Sequence, residues 1–216
     1  MLAGDHSEQV DIGAPTTARV EQETAQDGFV QQEKGIRMMN ATITTTPTIP
    51  SPSPSFDQHD FRSACGSFVT GITVVAAASA EGANGSTVNS FTSLSTDPPQ
   101  VVVCLALNTR TLQHVQSSGR FSVNILSSEQ TEIARIFASK TPDKISQVDW
   151  TRGANGAPLI DGAVTSFECD VVTMQREATH MLVIGRVTSL VHDSEAAPLV
   201  FFRSTISAGH ALQAQH

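Results

Sequence analysis

Tyrosine does not occur in this chain of 216 residues, and tryptophan occurs once, at Trp150. Large flat side chains that could stack tightly on a planar ligand are therefore scarce. The three cysteines, Cys65, Cys104 and Cys169, are odd in number, widely spaced and without a C-x-x-C pair. That excludes a disulfide framework and a thiolate metal site, fits a reducing cytoplasm, and predicts buried small hydrophobes at Cys65 and Cys104. Lys and Arg number 13 against 21 Asp and Glu, giving a net charge of −8 with no basic cluster. Binding to nucleic acid or to an anionic membrane surface is not expected. No apolar run approaches the roughly 20 residues of a membrane span, and Met1-Leu2-Ala3-Gly4-Asp5-His6 lacks the charged-then-apolar pattern of a secretion signal. His59, His114, His192 and His210 share no ligand spacing, so no metal is expected. No repeating βαβ period occurs, which argues against a doubly wound parallel sheet.

What is present divides in two. Residues 1–55 begin polar and acid-rich, with Glu8, Asp11, Glu21, Glu23, Asp27 and Glu33, and end in a Thr/Pro/Ser tract. Such a tract is a poor helix former and lacks ladder donors at its prolines, so a disordered lead is expected. Met38 and Met39 precede the tract, so an internal start is also open. From Phe56 to residue 207 the composition is that of one globular domain, followed by a tail, 208–216.

Within the domain, residues 57–68 read as a helix with Phe61, Cys65 and Phe68 on one face. Strands follow at 70–76 and 101–107, with Gly82, Asn84 and Gly85 marking a turn between them. Asn108 or Thr109 can cap a helix that Gly119 ends. Residues 121–126 alternate as a strand, and Ser127-x-x-Gln130 suggests a capping box for a helix through Phe137. Residues 150–162 are loop-rich, with apolar strands expected at 163–174, 180–190 and 198–203. Glu168 and Asp170 alternate on the first of these and read as a solvated pair. Six or seven strands joined mostly by turns predict a mainly β fold, an antiparallel barrel with short peripheral helices.

The segment 87–99, T-V-N-S-F-T-S-L-S-T-D-P-P, stands apart. Short hydroxyl and amide side chains outnumber its large apolar residues, Val88, Phe91 and Leu94. It reads either as a cradle of neutral donors for a polar ligand or as a serine-rich loop bonded to its own backbone. Asn108-Thr109-Arg110-Thr111 places a cation and hydroxyls at an expected helix N-terminus, where unpaired amides favour anions. Arg110 alone is equally readable as a surface charge.

Five fragments occur in order: F-R-S-A-C-G-S-F-V-T-G-I-T-V-V from Phe61, N-S-F-T-S-L-S with D-P-P from Asn89, G-R-F-S-V-N-I-L from Gly119, G-A-P-L from Gly156, and His180 ahead of I-G-R-V. Over residues 56–202 this series resembles the short-chain flavin reductases of two-component monooxygenases. The resemblance implies a split β-barrel, usually a homodimer, that reduces FMN or FAD with NADH or NADPH and passes the product to a flavin-dependent monooxygenase. It places flavin contacts at Asn89, Ser90, Phe91, Thr92, Ser93 and Ser95, phosphate contacts at Asn108, Thr109, Arg110 and Thr111, and His180 beside the nicotinamide. Two departures stand out. Ala178-Thr179 replace the family's usual Gly-Asp before the histidine, and Ser204-Thr205 follow Arg203 where an Arg-Gly-Tyr-like segment is common. A non-catalytic flavin-binding or carrier barrel is the alternative that these departures keep open.

Overall fold

The computed structural model describes residues 54–209; the expectations for the acidic lead, the internal start and most of the tail lie outside them. In chain order the elements are α1 (Gln58–Cys65), β1 (Thr70–Gly71), β2 (Thr73–Ser79), β3 (Gly82–Val88), β4 (Thr92–Thr96), β5 (Pro99–Ala106), α2 (Arg110–Ser118), β6 (Arg120–Ile125) and α3 (Thr131–Ala138). A 3-10 turn (Ile145–Gln147), β7 (Trp150–Arg152), β8 (Pro158–Ile160), β9 (Thr165–Glu177), β10 (His180–His192), β11 (Leu199–Phe202) and β12 (Thr205–Ala208) complete it. Seven strands form one sheet in the order β3-β2-β6-β9-β10-β5-β4, and every pairing in it is antiparallel. Strands β1, β11 and β12 form a second, small sheet, and β7 pairs β8. The mainly β, barrel-like architecture expected from the turn-rich strand pattern is what the chain adopts.

β2 explains the continuous apolar run at 74–78. Val75 and Ala77 face an interior cluster with Val103, Leu105, Phe121, Val123 and Val183. Val74 and Ala76 face an outer cluster with Leu126, Ala134, Phe137, Ile160 and Leu199. A strand covered on both faces has no need of polar alternation. α2 supplies Leu112 and Val115 to the interior cluster, so it plugs the barrel.

The outer strands of the seven, β3 and β4, are consecutive in sequence, and a side chain joins across the gap between them. Ser90, in the link between the two, accepts from Cys104 N at 3.0 Å and donates to Cys104 O at 3.2 Å. One hydroxyl thus satisfies both main-chain groups of a residue in β5 that a neighbouring strand would otherwise pair.

Several expectations need correction. The glycine-rich stretch at 82–85 is strand β3 rather than a turn; the reversal falls at 80–81. Gly85 is small because a Cβ there would meet the Phe137 ring at 2.6 Å, and Asn84 is buried and donates to Pro142 O. The α3 helix starts later than a Ser127 cap requires: Gln130 precedes its first turn without a capping bond. Half of the expected box does form, since Gln130 Oε1 accepts from Ser127 N at 3.0 Å. The loop-rich stretch 150–162 contains the β7–β8 hairpin. Cys65 is exposed rather than buried. α1 ends at Cys65 and buries none of its residues: Phe61 is 57% exposed, and Phe68, beyond its end, 75%.

Glu168 corrects the expected solvated pair. It is only 5% exposed, and its Oε2 accepts from Asn155 N at 2.6 Å. A Cβ on Gly153 would also strike that carboxylate, so the glycine-rich turn folds over a buried acid. Asp170, two residues on, is exposed.

Candidate functional site

The C-terminal end of β5 is the meeting point. His180, the first residue of β10, pairs with Ala106, the last of β5. Ala106 O accepts from both Thr109 N (3.2 Å) and Thr109 Oγ1 (2.9 Å), which turns the chain into α2. Leu107 N donates to Thr179 O at 3.1 Å and fastens the β9–β10 turn to the same spot. Two residues back along β5, Cys104 holds Ser90. Residues 89–91, the start of α2 and His180 therefore collect at one end of the sheet, although 91 positions separate Asn89 from His180 in the sequence, whereas β4 carries Ser93 and Ser95 back along β5 to Val101 and Gln100.

Each expected residue has a definite place, though not all lie at that end. Ser90 is engaged twice with Cys104, and Phe91 is half-buried against the interior cluster, its ring 5.8 Å from that of Phe167. Thr109 caps α2, accepting from Leu112 N at 3.3 Å. Thr111 is buried, and its hydroxyl lies 2.9 Å from that of Ser86 on β3. These four build the frame. Asn89, Thr92, Ser93, Asn108 and Arg110 are exposed, and Ser95 is half-buried at the β4 bulge. Among these, Thr92 has a long 3.4 Å contact to Ser93 O, and Arg110 reaches Pro142 O at 3.5 Å. Neutral amides and hydroxyls thus line the rim, with one guanidinium beside a helix start whose first amides point outward.

His180 is exposed, and its Nδ1 lies 2.9 Å from Thr179 Oγ1. The hydroxyl stands where an acidic neighbour was expected and orients the ring. Across the ladder, Glu177 pairs with His180, but its carboxylate accepts from Gln175 Nε2 at 2.6 Å. Sequence reading named Thr179 but missed Glu177. The short turn between two long apolar strands was the signal that could have placed Glu177 opposite His180.

Asp57, His59 and Asp60 are the described residues whose ligand atoms cluster within 4.8 Å of one another. Two of the three form a capping box: Asp57 Oδ1 accepts from Asp60 N at 2.8 Å, and Asp60 Oδ2 from Asp57 N at 3.4 Å. No helix of the described residues is long and apolar enough to cross a membrane.

Comparison with known proteins gives a consistent result. The family profile described as "Flavin reductase like domain" matches residues 65–210. A probable flavin reductase of Rhizobium meliloti is 42% identical over 135 residues, 62% of this chain and 43% of that protein, so the chain spans less than half of that relative. The reductase subunit HsaB of a flavin-dependent monooxygenase from Mycobacterium tuberculosis is 37% identical over 153 residues, 70% of this chain and 82% of the subunit. Among solved structures, an NADH:FAD oxidoreductase from Streptomyces globisporus, crystallised with NAD and FAD fragments, superposes with a TM-score of 0.67 at 32% identity, covering 72% of this chain and 94% of that one.

Proposed function

The chain belongs to the flavin reductase-like family, and from that premise we propose that it reduces FMN or FAD with NADH or NADPH and supplies the reduced flavin to a monooxygenase. The observation that carries this reading is the convergence of residues 89–91, the α2 N-terminus and His180 at one end of the sheet.

The donor set suits an isoalloxazine edge, whose carbonyls and ring nitrogens want neutral partners. Asn89 presents such groups on the rim and Thr92, Ser93 and Ser95 along β4, while Ser90 and Phe91 hold the segment to the barrel. Asn108 and Arg110 stand at the helix start, where a phosphate gains from outward amides and a guanidinium. Thr109 and Thr111 shape that start by capping and by bonding Ser86. Bound flavin would supply the hydride acceptor. His180, oriented by Thr179, borders the same end and would position the nicotinamide. With no tyrosine and one tryptophan, Trp150, few large rings are available to grip a flavin, which fits a flavin that leaves after reduction.

A homodimer belongs to this proposal. β6 covers β9 only through Asp170, so the outer half of β9 keeps an unpaired edge with Val172 and Met174 exposed. α1 and the chain after it add exposed Phe61, Phe68 and Val69. A long apolar edge is a surface that proteins normally cover. The working compartment is the cytoplasm, where Cys65, Cys104 and Cys169 remain thiols. We further assign residues 56–207 as the functional domain.

Steady-state oxidation of NADH and NADPH with FMN, FAD and riboflavin tests the activity. Flavin binding without turnover would instead favour a carrier, the reading that the missing acid before His180 supports. Arg110→Ala is expected to weaken FMN and FAD by about tenfold or more, the scale of one charge-assisted phosphate contact, and to leave riboflavin unchanged. Equal loss for all three removes Arg110 from the phosphate site.

A further inference from the structure

Asn84, in the middle of β3, carries an amide that is only 6% exposed. Its two ends do different work. Oδ1 accepts from Gly85 N at 2.8 Å, within its own strand. Nδ2 leaves the sheet and donates to Pro142 O at 3.3 Å, in the link between α3 and the 3-10 turn. Arg110 Nη1 donates to the same carbonyl at 3.5 Å. A carbonyl oxygen has two lone pairs, so one group receives both the buried amide and the guanidinium at the start of α2.

The link that carries this carbonyl is tied back to α3. Lys144 Nζ donates to Phe137 O at 2.9 Å, at the last turn of that helix, and Ser139 Oγ accepts from Thr141 N at 3.2 Å. β3 grips α3 as well, since Thr87 Oγ1 donates to Ala134 O at 2.7 Å. Ser86 stands two residues from Asn84, on the same face of β3, and its hydroxyl lies 2.9 Å from that of Thr111. The first two residues of α2 are thus both fixed from β3, Thr111 directly and Arg110 through Pro142. Arg110 takes part in no ion pair among the described residues, so this carbonyl is what orients its fork.

We infer that Asn84 is a positioning residue for the flavin phosphate, acting through the Pro142 carbonyl on the Arg110 guanidinium. The inference rests on the proposed phosphate contact of Arg110. A long, exposed arginine loses rotational freedom when an anion arrives, and that loss subtracts from affinity. A carbonyl that already engages one N–H does part of the ordering beforehand and leaves the rest of the fork for phosphate oxygens. Residues 140–143 of the link are exposed, so the buried amide of Asn84 is what pins the carbonyl to the barrel. Asn84 itself touches no ligand. Its effect is confined to flavins that carry a phosphate, and riboflavin gains nothing from it.

Fluorescence-quenching titrations of the full chain with FMN and with riboflavin test this, the ratio of the two dissociation constants reading the share of the phosphate. Arg110→Ala is expected to lower the preference for FMN about tenfold. Asn84→Leu, which fills the space without a donor, is expected to lower it about three- to tenfold, the scale of one hydrogen bond, with riboflavin affinity unchanged. Asn84→Ser, too short to reach Pro142, is expected to act alike and keeps the test readable should Asn84→Leu fail to fold. In the Arg110→Ala background either substitution at Asn84 is expected to change nothing further, because the two side chains act as one unit. A preference for FMN that the Asn84 variants leave intact or increase overturns the inference. So do equal losses for FMN and riboflavin, and additive losses in the double variant; in each case Arg110 keeps its phosphate contact. An Arg110→Ala chain that still prefers FMN removes that contact instead, and the inference falls with it.

Discussion

Asn124 shows how much one buried amide can organise. It is fully buried, donates to Val74 O at 3.1 Å and accepts from Ile160 N at 2.9 Å and Ser166 Oγ at 2.8 Å. Its neighbour on the same face, Ser122, bonds Pro158 O, so the two side chains lash the β7–β8 hairpin to the barrel. Asn124→Leu leaves an amide and a carbonyl of the interior without partners. A loss of about 2–4 kcal/mol in urea unfolding is expected. Cys169 carries a second residue-scale prediction. Burial first, then the charges of Asp170 and Glu168, push its thiol up from 9.0 to about 12. Over that interval the folded chain holds a proton that the unfolded chain releases. The stabilisation is therefore complete below pH 9 and is lost as pH rises towards 12. At neutral pH a thiol reagent is expected to label exposed Cys65 promptly and Cys169 only on unfolding.

At the scale of elements, α2 was the most legible. A threonine cap, a short helix and a terminal glycine are all in the sequence, and Gly119 takes the left-handed φ of 67° that such an end requires. Thr109→Ala removes the bond to Leu112 N and is expected to cost about 1 kcal/mol. Because Thr109 also anchors the chain to Ala106, flavin affinity is expected to fall with it, readable by fluorescence quenching of FMN. Gly82, Asn84 and Gly85 misled for a physical reason. Composition signals a turn, but Gly85 is required by the Phe137 ring and Asn84 by a partner 58 positions away. Glu168 misled likewise, since its amide partner lies in a distant loop. Local propensity is blind to a tertiary neighbour of either kind. Gly185 is a further case: a Cβ there would enter the buried Phe121 ring. Gly185→Ala is expected to destabilise by about 1–3 kcal/mol, and Phe121→Leu in the same chain to recover part of it, as thermal unfolding would report.

For the whole molecule, the question is what covers the surfaces that one copy leaves open. The proposed dimer predicts a mass of two chains in light scattering, and Val172→Lys with Met174→Lys on the β9 edge is expected to shift it to one. A monomer in the unaltered chain removes that part of the proposal. The ten expected contact residues come as near-contiguous runs, which is why a sequence reading can propose them as a set. Their division into frame and rim is not legible there, since it depends on which hydroxyls already have partners, and those partners sit on β3 and β5.

The stitch made by Ser90 has a consequence for motion. Elsewhere the wall is sewn by rows of amides, whereas here one hydroxyl bridges the seam. Breathing of the wall is cheapest at that point, next to the rim where a planar guest would enter and leave. Exchange of the Cys104 amide with deuterated solvent should therefore be faster than that of Val103, which lies within the β5–β10 ladder.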